Sequence, residues 1–235
     1  AYKALEEGDP YFAAKKFLEA ELLFPQSKWA SQSALMASYS FYLQNYYTEA
    51  LSNLERFVVV YPKSKNLVYA HYLIAICYYE SIEDEKRDSA PLIKAKEKFT
   101  FVIEKYPNTE FALDSQFKLS LIENILAAKE MYLGRHYLKK EKWIASMNRF
   151  KNVIENFSQT VFVEEALHRL VEVNYKLGLI DESQKYANTL GYNYMSSQWY
   201  KKSYKIFNQD YSVQLNKKIE RDKEGVLKRF KKLFD

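Results

Sequence analysis

An aromatic residue followed by proline, one spacer and a hydroxyl residue occurs three times in this chain, as Phe24-Pro25-x-Ser27, Tyr61-Pro62-x-Ser64 and Tyr106-Pro107-x-Thr109. A fourth copy, Phe157-Ser158-x-Thr160, keeps everything except the proline. Eight positions before the proline slot stand Phe17, Leu54, Phe99 and Phe150, and twelve before it stand Ala13, Ala50, Ala95 and Ser146. The chain is an internal repeat, which limits it to folds in which one unit packs on the next.

Proline lacks a backbone N–H and drives the residue before it out of the helical region, so each aromatic-proline pair ends a helix. The Ser or Thr two residues on can accept a hydrogen bond from the exposed N–H groups that open the next helix, which predicts an N-cap. Upstream, the small residue and the large one four positions later share a helical face. The small residue admits a neighbouring helix and the large one fills its groove.

The slots at 25, 62, 107 and 158 are 37, 45 and 51 residues apart. A helix hairpin of the tetratricopeptide type repeats about every 34 residues and ends its second helix near a proline. The first spacing fits best, and the later units carry insertions. The charged run Glu83-Asp84-Glu85-Lys86-Arg87-Asp88 before Pro91 predicts a longer loop, and residues 111–138, with no Pro and with Gly134 only late, predict one elongated helix.

Five Gly and five Pro in 235 residues are too few turn formers for a sandwich or barrel, and no segment sustains two-residue alternation. Short connectors fall at Glu7-Gly8-Asp9-Pro10, where Asp9 can cap and Pro10 can open a helix, and at Gln44-Asn45-Tyr46, Lys140-Glu141-Lys142 and Leu177-Gly178-Leu179-Ile180-Asp181. The fold class is therefore all-α. We expect a tetratricopeptide-type solenoid of about five helix hairpins plus C-terminal helices near 197–207 and 212–234. Residues 1–235 form a single array, divided into N-terminal repeats (1–110), C-terminal repeats (111–210) and a tail helix (211–235).

Chemistry-bearing constellations are absent from the sequence. His71, His136 and His168 lie far apart with no second ligand at metal spacing. The pairs Glu164-Glu165 and Asp181-Glu182 fall near helix starts, where the helix dipole favours negative charge. The glycines are isolated, so no phosphate-cradling loop can form. We expect no enzyme, no metal and no cofactor. Cys77, the lone cysteine, reads as a small core residue. No stretch reaches the roughly 18 apolar residues of a membrane-spanning helix, and no leader precedes Ala1, which suits either a cytosolic chain or one whose leader has been removed.

Charge and aromatic residues are unevenly placed. From Tyr211 to Asp235 eight basic residues face four acidic ones, a net +4 out of the chain's +5, with Ile219, Val226, Phe230, Leu233 and Phe234 at helical spacing. That tail reads as a basic amphipathic helix that could dock on a partner, rest on anionic lipid or cap the array. The body has no basic stripe for a phosphate backbone, so no nucleic acid is expected. Of 21 Tyr, a cluster at Tyr39, Tyr42, Tyr69, Tyr72, Tyr78 and Tyr79 lies in the first helices of the second and third pairs. These tyrosines either pack between hairpins or line a concave peptide groove.

Several runs carry a resemblance to a known family. They are Tyr69-Ala70-His71-Tyr72-Leu73, the segment from Ala128 to Leu138, Asn148-Arg149-Phe150, the segment from Glu164 to Glu172, and Leu190-Gly191-Tyr192-Asn193-Tyr194 with Trp199-Tyr200. The chain resembles the BamD family, tetratricopeptide lipoproteins of the bacterial outer-membrane β-barrel assembly machinery, over about residues 2 to 207, in a form similar to alphaproteobacterial members. The resemblance implies a non-enzymatic scaffold at the periplasmic face of the outer membrane. It implies a lipid anchor on a cysteine upstream of Ala1, a signal peptide before that, and partnership with other Bam lipoproteins. It further implies that Arg149, with Asn148, binds a POTRA domain of BamA, where a planar guanidinium suits a carboxylate. Within the array, Arg149 could equally pair with a neighbouring carboxylate. Unfolded outer-membrane β-barrel proteins would meet the N-terminal repeats at Tyr39, Tyr42, Tyr69 and Tyr72. The alternative is a general peptide-binding adaptor, a cochaperone-like protein or a periplasmic cell-division factor. Cochaperones clamp a carboxylate with Lys, Arg and Asn, whereas the first helices here offer mostly Tyr, Ala, Ser and Leu.

Overall fold

Each aromatic-proline pair ends a helix in the computed structural model, which describes residues 1–81 and 89–208. The helices are α1 Tyr2–Glu6, α2 Pro10–Leu23, α3 Ala30–Leu43, α4 Tyr47–Val60, α5 Leu67–Glu80, α6 Ala90–Lys105, α7 Glu110–Lys139, α8 Trp143–Asn156, α9 Val163–Lys176 and α10 Ile180–Asn193. A further helix, α11, covers 198–208, and no strand occurs among the described residues. The fold is all-α, built from five hairpins of the tetratricopeptide type. The elongated fourth-unit helix is α7, 30 residues long. The charged run 83–88 and the tail helix expected at 212–234 lie outside the described residues.

Two turn designs alternate. Within hairpins the chain turns through a left-handed residue: Gly8 at φ 81°, Asn45 at 60°, Glu141 at 56° and Gly178 at 77°. At each, the N–H of the following residue reaches back five positions, as in Tyr46 to the Phe41 carbonyl and Lys142 to the Tyr137 carbonyl, both 3.0 Å. This is the Schellman ending, which satisfies carbonyls left open at a helix C-terminus. The first hairpin adds the expected cap, with the Asp9 carboxylate accepting the Phe12 N–H at 3.0 Å and Pro10 in the first helical position. One connector is shorter than expected, because Ile180 and Asp181 already belong to α10.

Between hairpins the aromatic residue caps the outgoing helix in a non-helical conformation. Phe24, Tyr61, Tyr106 and Phe157 share φ between −119° and −134° and ψ between 41° and 59°. Tyr194 does the same at φ −139°, ψ 45°, so Tyr194-Met195-x-Ser197 is a fifth copy. In all five, the Ser or Thr N–H bonds the aromatic carbonyl three residues back at 2.9–3.2 Å. The hydroxyl's role differs from the N-cap expectation. Ser27 and Ser64 accept from N–H groups only two residues on, Trp29 and Asn66, and so form the turn rather than cap the helix. Thr109 and Ser197 do reach a helix, Thr109 accepting the Ala112 N–H of α7 at 3.2 Å and Ser197 the Trp199 N–H of α11 at 3.1 Å.

Packing follows the repeat. Ala13, Ala50, Ala95 and Ser146 are fully buried, as are Leu54, Phe99 and Phe150. Ser146 donates to the Gly134 carbonyl at 3.0 Å, and Ser183, at the equivalent place in α10, donates to the Val171 carbonyl at 2.9 Å. The chain forms two compact units, Ala1–Leu126 and Ala127–Asp235, divided within α7. The first is built around Leu54, Phe57, Ile74, Cys77, Leu92, Phe99 and Ile122, with a smaller cluster of Ala4, Ala13, Phe17 and Ala37. The core of the second joins Ala127, Met131, Phe150, Val153, Ala166 and Leu170, beside a cluster of Val163, Leu167 and Leu190. Cys77 is a core residue, its thiol pushed up to about 12 by burial.

Candidate functional site

In the second unit a recess of about 460 Å³ opens between α7 and α8, lined by Glu130, Tyr137, Ala145, Asn148, Arg149, Asn152 and Glu155. The spacing of α8 explains the lining: Phe150 and Val153 turn to the core, which leaves Asn148, Arg149, Asn152 and Glu155 on the other side. Arg149 does pair within its own array. Its Nη1 donates to both carboxylate oxygens of Glu130, at 3.1 and 3.2 Å. Its Nη2 and Nε have no partner among the described residues, so the guanidinium is held in place from one side and keeps donors for a second acceptor. Asn148 is exposed beside it.

In the first unit the four tyrosines expected at a groove come together on α3 and α5. The rings of Tyr39 and Tyr42 lie 6.1 Å apart, and Tyr69 and Tyr72 both stack near Phe111, at 5.6 and 5.2 Å. All four are half-buried against the main core, so the packing role holds for one side of each ring. Tyr42 donates to Glu80 at 3.2 Å and Tyr72 to Asp114 at 2.6 Å. Burial, then these carboxylates, raises both phenols above the usual range, and burial pushes Tyr69 up to about 12. The cluster is thus an aromatic surface of neutral phenols whose hydroxyls are fixed by two carboxylates. The sequence reading missed Glu80, Phe111 and Asp114. Phe111 and Asp114, three apart at the start of α7, were the available signal.

A second recess in this unit, about 530 Å³, lies between α2 and α4 and was not anticipated. Its floor is Glu21, whose carboxylate accepts from Arg56 Nη1 at 2.7 Å and Nη2 at 2.5 Å and from the Tyr61 hydroxyl at 2.8 Å. Burial would raise the Glu21 carboxyl, but the bonds from Arg56 and Tyr61 outweigh it and hold it below its ordinary value. Leu18, Leu22, Pro25 and Val60 form the walls.

The remaining histidine of interest is His168, buried in α9. Its Nδ1 lies 2.8 Å from Ser203 Oγ of α11, its ring is 5.2 Å from that of Trp199, and Glu172 sits 3.7 Å from Nε2. Burial holds its pKa down to about 4 despite Glu172. No group of His, Cys, Asp and Glu suited to a metal occurs among the described residues, and no described helix is long and apolar enough to cross a membrane.

The architecture of repeated hairpins with an aromatic-hydroxyl turn agrees with what sequence comparison finds. The family model YfiO, outer membrane lipoprotein, matches residues 1–190. The chain belongs to this family. The relative from Caulobacter vibrioides, outer membrane protein assembly factor BamD, is 40% identical over 204 residues, covering 87% of this chain and 67% of its own. The Rickettsia prowazekii protein of the same name is 42% identical over 194 residues, 83% of this chain and 77% of its own. Both organisms fit the alphaproteobacterial resemblance. A solved tetratricopeptide repeat protein from Parabacteroides merdae superposes loosely, with a TM-score of 0.37 at 14% identity over 91% of this chain and 73% of that one.

Proposed function

We propose that this chain is an outer membrane protein assembly factor: a non-enzymatic scaffold that joins a β-barrel assembly complex and receives unfolded barrel proteins. The observation that carries the reading is the 40–42% identity to two proteins of that name across more than four-fifths of this chain. Membership of an outer membrane lipoprotein family supports residence at the periplasmic face of that membrane, with the lipidated cysteine and signal peptide upstream of Ala1.

In this reading the second unit docks on a POTRA domain of BamA through Arg149 and Asn148. The half-satisfied guanidinium supports it: Glu130 fixes the fork, and the outward donors suit a partner carboxylate bidentately. The first unit meets substrate at Tyr39, Tyr42, Tyr69 and Tyr72. A surface of half-buried aromatic rings with fixed hydroxyls suits an extended, aromatic-ended strand, because apolar side chains bury while backbone amides find acceptors. The array, its tail and other Bam lipoproteins would complete the complex.

The deciding experiment is a pulldown of BamA by the intact chain. Arg149→Glu should abolish capture without changing the circular dichroism spectrum, and full capture would refute the docking assignment. For the substrate surface, Tyr42→Ala with Tyr72→Ala should reduce crosslinking to a barrel-signal peptide. Unchanged crosslinking would place the peptide elsewhere.

A further inference from the structure

Glu155 is poorly placed for its own helix. It stands in the last turn of α8, which has no basic residue there, and the partial negative charge of a helix C-terminus disfavours a carboxylate. It forms no hydrogen bond or ion pair among the described residues, although Lys151 lies one turn earlier on the same helix. The group facing it from α10 is Tyr186, whose hydroxyl is held up by burial and then by the charges of Glu182 and Glu155. A tyrosine cannot neutralise it.

The same carboxylate lines the recess that contains Arg149. The recess is therefore unevenly charged, with Glu130 balancing Arg149 at one end and, among the described residues, no cation paired with Glu155 at the other. At one end Arg149 is anchored through Nη1 on Glu130 and offers its other donors, and at the other end stands an unneutralised Glu155. Between them lies Asn152, whose carbonyl oxygen accepts from Asn156 at 2.6 Å, which turns its amide N–H donors away from that bond. Six helical residues separate Arg149 from Glu155, a rise of about 9 Å along α8.

We infer that Glu155 is a specificity-determining residue of this docking recess. It selects a partner segment that presents a lysine or arginine to Glu155 while a carboxylate of the same segment engages Arg149. The unpaired Glu155 fixes the direction in which the segment lies, since the reversed segment would set its own carboxylate against Glu155 and its cation against the guanidinium. The inference rests on the proposed docking at Arg149 and adds the second charge and the polarity.

The test uses the intact chain and the BamA periplasmic domains, with affinity measured by titration calorimetry at low and high salt alongside a melting curve. Glu155→Gln should weaken binding about 5-fold and Glu155→Lys about 20-fold or more. The melting temperature of both variants should be unchanged or raised, because a charge opposed to the helix dipole has gone. A scan of partner Lys→Glu and Arg→Glu variants against Glu155→Lys should find one that restores affinity. Wild-type affinity in Glu155→Lys while Arg149→Glu fails to bind would overturn the inference and leave the docking reading standing. Wild-type affinity in both variants would overturn the docking reading itself. A loss in Glu155→Lys that no partner reversal restores would also overturn the inference.

Discussion

Replacing Gly134 by alanine should destabilise the second unit even though alanine is the better helix former. Gly134 lies inside α7, where alanine would ordinarily gain about 1 kcal/mol. A Cβ built there would sit 2.5 Å from Cε1 of Phe150 and 2.9 Å from its Cδ1 and Cζ. Carbon atoms in contact rest at about 3.5–4.0 Å, so ring and helix must part by about 1 Å. Phe150 has nowhere to go, since its ring is fully buried among Met131, Val153, Ala166 and Leu170. Overpacking of this kind costs about 1–3 kcal/mol, and the upper part of that range applies to a ring this enclosed. Set against the propensity gain, the net loss is about 1–2 kcal/mol, or about 3–6 °C in Tm for a chain of this size. Urea and thermal unfolding followed by circular dichroism would measure it. The double variant Gly134→Ala with Phe150→Leu should lose less than the two single losses added, because the smaller side chain makes room for the methyl. An alanine variant as stable as the native chain would refute the close-approach argument.

Three further outcomes follow from the geometry. His168 ionises at about 4 in the fold against 6.5 unfolded, so between those values the unfolded chain binds the extra proton and stability falls as the pH drops. At about 1.4 kcal/mol per pH unit the loss approaches 3 kcal/mol by pH 4, and urea unfolding at pH 7 and pH 4.5 should show most of it in the native chain but not in His168→Gln. Glu21→Gln, whose amide oxygen can still accept from Arg56 Nη1 and the Tyr61 hydroxyl but whose amide nitrogen faces Arg56 Nη2 and leaves the guanidinium without its counter-charge, should cost about 2 kcal/mol at pH 7, a figure kept low because Arg56 is partly exposed. The depressed Glu21 carboxyl contributes stability that is present above its unfolded pKa and lost as pH falls through its lower folded value, so native and variant melting curves should converge in acid. Glu141→Gly should stabilise by up to about 1 kcal/mol, since glutamate at φ 56° carries a strain glycine lacks, and a lower melting temperature would contradict this.

The repeat frame was readable because it rests on local chemistry. Proline, alanine and the paired aromatics act within one turn of themselves, so Phe17, Leu54, Phe99 and Phe150 declared the packed face before any neighbour was known. The fifth turn escaped because Met195 replaces the proline and Ala187 stands eight positions before that slot, where a large Phe or Leu stands elsewhere. Its remaining signals were Tyr194 and Ser183. Glu141 escaped for another reason: glycine and asparagine announce a left-handed turn, and glutamate does not. At the sites, residue type was legible and partnership was not. Arg149 carries no mark of Glu130, nor Tyr72 of Asp114, because those contacts depend on how helices register against each other, within one hairpin across 19 residues and between hairpins across 42. Stacking the repeat units in register would have brought Glu21 near Tyr61, 40 residues on and close to the 37-residue period.

The five inter-hairpin turns have one shape whether proline, serine or methionine follows the aromatic. Proline therefore adds nothing to the finished geometry. Its effect lies in the unfolded chain, where each one removes backbone freedom worth about 0.4–1 kcal/mol at a position whose native conformation already suits it. The prolines at 25, 62 and 107 precede the last two turns in the order of synthesis, so the part of the chain that emerges first is the part whose corners are already half made. Pulse-labelled amide exchange during refolding should find α2 through α6 protected before α9 and α10. The chain would then close from its N-terminal end, with the later hairpins waiting for an earlier one to pack against.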